Sequence, residues 1–479
     1  MTYPRIQMFI DGQWTGGSGG RTQPVVNPAN EATLGEVPLA EKQELDSALA
    51  AAARGFALWR DTPMEKRTRI LLDAAKLLRE RSPAIGEVMT LEQGKPLAEA
   101  RGEAGRAAGI IQWDAEEGRR AYGRIIPVDS TSELLVLREP VGPVAAFTPW
   151  NFPAGSPTRK IAAALSAGCS IIIKASEEAP GTAVELVRCF ADAGVPAGVL
   201  NLVFGVPSEV SSYLVAAQEI RFIAFTGSIP VGKHLAGLAA AVMKPAVMEL
   251  GGHAPVIVCE DADPVSAAKA CAAGKFINAG QVCTSPSRFI VHESLLDRFT
   301  ASFADAARSL RVGDGLEQGI QMGPLANARR LQAVEAMVED ARQRGAKVLC
   351  GGKRRGTRGY FYEPTVLTGV PREAQLMQVE PFGPVAPICA YSDLDQALEL
   401  ANSLPYGLAA YGFTKSSARA NLLMRRLEAG ILSINHTGGS VVEAPSGGVK
   451  DSGYGREGGG EGLEGYLITK RVSHKFNQT

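Results

Sequence analysis

In the stretch GKFINAGQVCTSPSRFIV, residues 274–291, Cys283 falls in a Gly-Gln-Val turn between an alanine-rich helical pattern and a strand-like run. A cysteine is reactive where it is partly accessible and its thiolate is stabilised, and inert inside an apolar element. Cys169, Cys259 and Cys389 lie in strand-like runs, Cys189 and Cys271 in helical patterns, and Cys350 ends a strand-like run, so packing accounts for each. Cys283 alone is in a polar loop, with Gly280 letting backbone amides face a substrate. That makes it a candidate nucleophile, with an idle loop thiol as the alternative. Two further residues fit the same chemistry. Asn151 in FTPWNFP ends a predicted strand, and its amide, with the Cys283 N–H, could stabilise an oxyanion by about 3 kcal/mol per donor. Glu249 in MELGG lies between an apolar run and two glycines, where desolvation raises a carboxyl towards neutrality and suits it to act as a general base. Taken singly, Asn151 could be a turn residue and Glu249 a solvated strand end.

Two more motifs suggest a nucleotide. FTGSIPVGK, with Gly227 and Gly232, follows a strand and opens a helix whose free amides could meet a phosphate, although it is not a G-x-G-x-x-G fingerprint. In IIIKASE, Lys174 and Glu177 follow a strand end and could bind ribose hydroxyls, a surface ion pair being the alternative.

The elements that must hold these residues follow from the pattern. Residues 45–96 repeat apolar side chains at helical spacing. From Val141, short β-branched runs alternate with helix-length segments, which predicts a doubly wound parallel sheet. A second alternating set follows APVIVCED, where Asp263 should cap a helix opening on Pro264 and running to about Phe276. Strands are expected within SRFIVHE, AKVLCGG, FYEPTVL, APICAY and GILSIN. GRIIPVDSTSELLVLREP reads as a long hairpin and GYLITKRVSHKF as a terminal strand. Both should bind another subunit, the alternative being a hairpin packed on its own domain. The 479 residues are 45% hydrophobic with 50 basic and 50 acidic side chains, which implies large cores and argues against a nucleic-acid partner. No window suits a membrane span and no leader pattern opens the chain, so a cytoplasmic location is expected. The seven irregularly spaced cysteines argue against disulfides and against a metal site.

FTPWNFP, KASE, FTGS, MELGG, GQVC, EPFGP and SGYGREGG occur together in an order and spacing that resemble the aldehyde dehydrogenase superfamily from the MFIDGQW opening to the C-terminal strand. The resemblance implies an α/β fold with a doubly wound Rossmann-type cofactor domain (1–121 and 142–252), a second α/β catalytic domain (253–450) and a small β oligomerisation arm (122–141 and 451–479). It implies Cys283 as nucleophile, Glu249 as base, Asn151 as oxyanion donor, and Lys160 and Glu457 as proton-transfer residues. Thr148, Pro149, Trp150, Lys174, Ser176, Glu177, Gly227, Ser228, Gly232, Leu250, Glu380 and Phe382 are implied along the cofactor, with Phe152 and Ser440 at the substrate. NAD is expected because Glu177 should repel a 2′-phosphate, while Ser176 leaves NADP open.

SPTRKIAAAL is most similar to the succinate-semialdehyde dehydrogenases, in which an arginine at the place of Arg159 holds the substrate's far carboxylate. That subgroup commonly has an arginine at position 277, a cysteine at 285 and a phenylalanine at 446, where this chain has Ile277, Ser285 and Ser446. An internal acid is the competing partner for Arg159. The expected protein is an NAD(P)-dependent dehydrogenase of a semialdehyde, acting as a homodimer or homotetramer. Oxidation of a non-carboxylated aldehyde, acyl transfer to coenzyme A, and nucleotide binding without catalysis are the alternatives.

Overall fold

The computed structural model describes residues 3–438 and 441–476. Ser440, expected at the substrate, lies outside the described residues. Among them, no helix is long and apolar enough to cross a membrane.

Short runs such as Ile171–Lys174 (IIIK) and Leu200–Val203 (LNLV) are buried along their whole length, as β-branched and apolar residues are when helices cover both faces of a parallel sheet. The helices between them open cleanly. Pro180, Pro207, Pro230 and Pro264 each stand in a first turn, where a missing N–H costs nothing. Asp263 caps Pro264–Phe276 as expected, accepting from the Val265 and Ser266 amides.

Two large sheets result. The first has eight strands, and its parallel centre runs Leu200–Val203, Ile171–Lys174, Val144–Phe147, Phe222–Gly227, Ala246–Leu250. The chain works outwards from Val144–Phe147 in one direction and returns to its other side at Phe222–Gly227. The crevice between the carboxyl ends of those two strands is the topological switch point, where ligands bind in such folds. The helices Lys42–Arg60, Met64–Gln93 and Leu97–Glu117 belong to the same hydrophobic cluster, through Leu49, Leu71 and Ile111. The second sheet has seven strands in the order Lys347–Cys350, Thr365–Thr368, Val385–Tyr391, Pro286–His292, Ala254–Val258, Ala409–Phe413, Ile431–Ile434, and only the first is antiparallel. Its core is built on Val256, Phe289, Phe299, Phe303 and Ile388.

The expected hairpin is present as Arg124–Asp129 and Ser132–Pro140, and Leu467–Lys475 pairs antiparallel with its second strand from Leu467 opposite Pro140 to Lys475 opposite Ser132. Every residue of Arg124–Asp129 is exposed, so that strand is not packed on a domain of its own chain. Among the described residues of segment 451–476, only Leu467–Lys475 forms the arm strand. Gly453–Tyr454 instead edges the first sheet, and Leu463 and Tyr466 are buried in its core, because their apolar side chains have a covered face only there.

Candidate active site

Four loops meet at Cys283. The nucleophile loop leaves helix Pro264–Phe276 through three consecutive residues of positive φ, Asn278 (51°), Ala279 (53°) and Gly280 (74°). Left-handed backbone is rare outside glycine and persists only where its surroundings hold it. The hold is visible: a Cβ on Gly280 would run into the Gly383 carbonyl of the 380–384 loop, and the Cys283 carbonyl lies against Gly252 of the Glu249 turn. The fourth loop follows Val144–Phe147. There Asn151 Nδ2 donates to the Gln281 carbonyl at 3.1 Å, two residues before Cys283.

The electrostatics of the site are those of carboxyls and a thiol drawn out of water. Cys283 keeps part of its surface accessible, yet burial, then the Glu380 and Glu249 carboxyls, push its thiol up to about 12. Glu249, next to last in Ala246–Leu250, is buried, and among the described residues its Oε1 has no hydrogen-bond partner. Burial and the neighbouring Glu457 raise its carboxyl to about 8, against the opposing pull of Lys160, Arg159 and Arg456. Lys160, fully buried, pairs with Glu457 and donates to Thr226 Oγ1 at 2.5 Å, directly across the register from Glu249. Cys283, Asn151, Glu249, Lys160 and Glu457, predicted from segments far apart in the chain, are therefore neighbours.

The cofactor candidates line the switch point. Phe147 is followed by Thr148, Pro149 and Trp150, and the Trp150 ring meets Phe382 edge-on with centroids 5.6 Å apart. The Thr148 amide donates to the Lys174 carbonyl at 3.2 Å, which joins this turn to the next strand end. There Lys174 and Glu177 form a largely buried pair, and Ser176 Oγ accepts from the Glu178 amide at 3.2 Å. Gly227 ends its strand and Ser228 caps helix Ile229–Ala241 without spending its side chain on a cap bond. The small size of the two glycines serves the protein itself: a Cβ on Gly227 would strike the Phe225 ring, and one on Gly232 the Leu250 side chain. Burial raises the Glu380 carboxyl to about 8, and Gly251 is glycine because a Cβ there would strike that carboxylate. Among the described residues, Glu380 Oε1 and Thr148 Oγ1 are shielded from solvent with no hydrogen-bond partner. Unmet polar atoms, two rings and a helix N-terminus along one crevice fit a nicotinamide dinucleotide.

At the substrate side, Arg159 is on helix Gly155–Ala167 beside Lys160, with Phe152 at the preceding turn. The internal acid weighed for Arg159 is present: Asp114 is buried and its carboxyl raised to about 8, with Arg159 the charge that opposes the shift. Ile277 and Val441 are 47% and 51% exposed, and Ser446 pairs with Glu457 through two backbone bonds, the amide of each donating to the other's carbonyl.

Sequence reasoning passed over a buried layer beneath these loops. Lys95 Nζ donates to Glu103 Oε2 at 2.5 Å and to the Asn151 carbonyl at 2.8 Å, and Asn278 Nδ2 donates to the same carbonyl at 3.0 Å. Lys275, wholly buried and with Glu380 as its countercharge, is lowered to about 7. LEQGKP falls within the helical repeat read from the sequence, and no local pattern in LEQGKPLAEARGE signals that its charges turn inward.

A family model described as "Aldehyde dehydrogenase family" matches residues 14–472. The chain belongs to the aldehyde dehydrogenase family. It is 46% identical to a putative 4-(hydroxymethyl)benzenesulfonate dehydrogenase of Comamonas testosteroni, with 97% of each chain covered. It is 41% identical to an NADP(+) succinate-semialdehyde dehydrogenase of Escherichia coli, again with 97% of each chain covered. Among solved structures, an Escherichia coli NADP dependent enzyme superposes with a TM-score of 0.97 at 40% identity over 98% of each chain. The expected aldehyde dehydrogenase fold is thus present, and the protein is an oxidoreductase acting on an aldehyde.

Proposed function

We propose that this aldehyde dehydrogenase uses NAD, with NADP as the alternative, to oxidise an aldehyde bearing an anionic group at its far end, succinate semialdehyde or a similar semialdehyde, to the carboxylic acid. The reading rests on the division into cofactor-binding (1–121 and 142–252), catalytic (253–450) and arm (122–141 and Leu467–Lys475) regions, with the reacting carbonyl held where the first two meet. The observation that carries it is the junction of Asn151 with the Cys283 loop, beside a Glu249 carboxyl held near 8.

Each residue's part follows from its surroundings. Burial raises the Cys283 thiol in the protein alone, and because part of its surface stays accessible, its proton leaves to water as the sulfur attacks, which keeps Glu249 free for the later step. Sulfur adds to the aldehyde carbon, and the resulting oxyanion meets Asn151 Nδ2 and the Cys283 N–H. The nicotinamide, when bound, supplies the hydride acceptor. Glu249 then deprotonates the water that releases the acid from its thioester on Cys283, with the Lys160–Glu457 pair alongside to carry the proton away. Trp150, Phe382, Glu380, Thr148 and the Lys174–Glu177 pair would hold the dinucleotide. Glu177 disfavours a 2′-phosphate, and the Lys174 charge beside it softens that bias.

The compounds in the two relatives' names share an anion remote from the reacting carbon, a carboxylate in one and a ring sulfonate in the other. Arg159, on the helix that follows the Asn151 turn, is the residue we assign to receive such a group, with the buried Asp114 as its competing partner. Ser446 where a phenylalanine is usual, and the exposed Ile277 and Val441, favour a second reading in which the spacer is an aromatic ring. A kinetic panel decides between them: succinate semialdehyde, glutarate semialdehyde, 4-sulfobenzaldehyde, benzaldehyde and hexanal, with wild type and Arg159→Ala. Loss of a charged hydrogen bond should lower kcat/KM roughly 10- to 100-fold for the anionic aldehydes only. An equal fall for all five removes Arg159 as the anchor.

For assembly, the reading is a homodimer or homotetramer formed through the arm. Its outer strand Arg124–Asp129 presents Ile125 and Val128, 65% and 56% exposed, along an unpaired edge.

A further inference from the structure

We infer that Lys95 and Glu103, with Gln93 and Glu99, form a buried clamp that sets the Asn151 turn and the Cys283 loop in register, so that Lys95 and Glu103 are positioning residues for the oxidation. The inference rests on the roles given above to Asn151 and Cys283.

Gln93 ends helix Met64–Gln93, Lys95 lies in the link that follows, and Glu99 and Glu103 are in the first two turns of helix Leu97–Glu117, a stretch that contributes no group to the reaction. The side chains of Lys95 and Glu103 are 1% and 3% exposed. Burying such a pair costs desolvation that apolar residues of the same size would avoid, so stability alone does not account for it. What the pair accomplishes is directional. Lys95 Nζ donates to Glu103 and to the Asn151 carbonyl, and lies 4.5 Å from the centroid of the Phe152 ring. The other Glu103 oxygen accepts from the amides of Ala154 and Gly155, at 2.9 and 3.0 Å. The turn between residues 151 and 155 is thus pinned at both ends, and with it the start of the helix that carries Arg159 and Lys160.

A second set of bonds reaches the nucleophile loop. Gln93 accepts from the Lys95 amide at 3.0 Å and donates from Nε2 to Asn278 Oδ1 at 2.8 Å, while Glu99 accepts from the Asn278 amide at 2.9 Å. Asn278, held in its left-handed conformation, donates to the Asn151 carbonyl and, at 3.2 Å, to the Gln281 carbonyl. Asn151 Nδ2 closes the ring on that same Gln281 oxygen. The orientation of the Asn151 carboxamide and the path of the chain into Cys283 are therefore fixed by one closed circuit, and Lys95 supplies the charge at its base.

The test is a mutant cycle in the full-length protein with NAD and the best aldehyde of the panel: Lys95→Met, Glu103→Gln, Asn151→Ala, and each clamp variant combined with Asn151→Ala. Thermal midpoint and dinucleotide affinity by fluorescence are measured beside kcat and KM. A misplacement of about 1 Å can cost on the order of 100-fold, so Lys95→Met should lower kcat by about that factor with dinucleotide affinity within about twofold. Lys95→Arg should recover part of the loss. In the Asn151→Ala background, either clamp substitution should cost no more than about threefold further, because residues acting as a unit are not additive. Should Lys95→Met fail to fold, the nearly isosteric Glu103→Gln gives the same decision. A kcat within threefold of wild type, or losses that multiply in the double variants, overturns the clamp alone. Wild-type kcat in Asn151→Ala overturns the role of Asn151 and the clamp with it.

Discussion

At the scale of single residues, the site is a balance between burial and unmet charge. Glu249 must be ionised to act as a base, and its carboxyl is raised to about 8, so kcat limited by acid release should climb with pH to a midpoint near that value and level off above it. Glu249→Gln should lower kcat by about 10²–10⁴-fold and abolish the climb, as a stopped-flow pH series would show; an unchanged midpoint assigns the titration to another group. Asn151→Ala should cost about 10²–10³-fold in kcat. Loop position and strand ends made Cys283, Asn151 and Glu249 candidates one by one, and the resemblance of the joint motifs to a known family joined them into one set of roles. Lys95, Glu103 and Lys275 were not, since an inward-turned charge is distinguished only by partners far along the chain, such as Asn151 for Lys95.

At the scale of elements, the carboxyl ends of strands and the loops after them set the chemistry. Gly280 combines φ of 74° with a neighbour, the Gly383 carbonyl, that leaves no room for a methyl group. Gly280→Ala should destabilise the fold by roughly 1–3 kcal/mol and displace Cys283. Calorimetry should therefore show a lower melting temperature, accompanied by an altered rate of Cys283 alkylation by iodoacetamide; a protein as stable and as reactive as wild type would show the strain to be imaginary. The proline-opened helices and the Asp263 cap were readable because their signals are chemical and adjacent. The interior strand Ala409–Phe413, next to the edge of the second sheet, was missed: AAYGF is short, lacks β-branched residues and is buried along its whole length, so neither period nor propensity marks it.

At the scale of the whole molecule, strand–helix alternation gave both parallel sheets, whereas the placement of 451–466 on the first sheet depends on pairing with Ala246–Leu250, which no local pattern encodes. Buried acids also shape global stability. Asp114 and Glu249 are raised from 3.8 and 4.5 to about 8, chiefly by burial, so between about pH 5 and 8 each of these two groups binds more protons in the folded chain than in the unfolded one, and their contribution is lost as pH rises. Stability should be greatest at the acidic end of that window and fall as pH rises, by at most about 1.4 kcal/mol per pH unit for each group. Melting temperatures at pH 5.5 and 8 check this, with Asp114→Asn expected to flatten the difference. Ending the chain after Tyr466 removes the strand bonded along Ser132–Pro140 and should reduce the proposed homodimer or homotetramer to monomers in light scattering; an unchanged mass would overturn the arm as the interface. The most direct test of the account is mass spectrometry of Glu249→Gln, quenched after exposure to a turned-over aldehyde and oxidised cofactor. The peptide containing Cys283 should carry the acyl group, in step with one equivalent of reduced nicotinamide. Reduced nicotinamide formed with Cys283 unmodified would contradict the account.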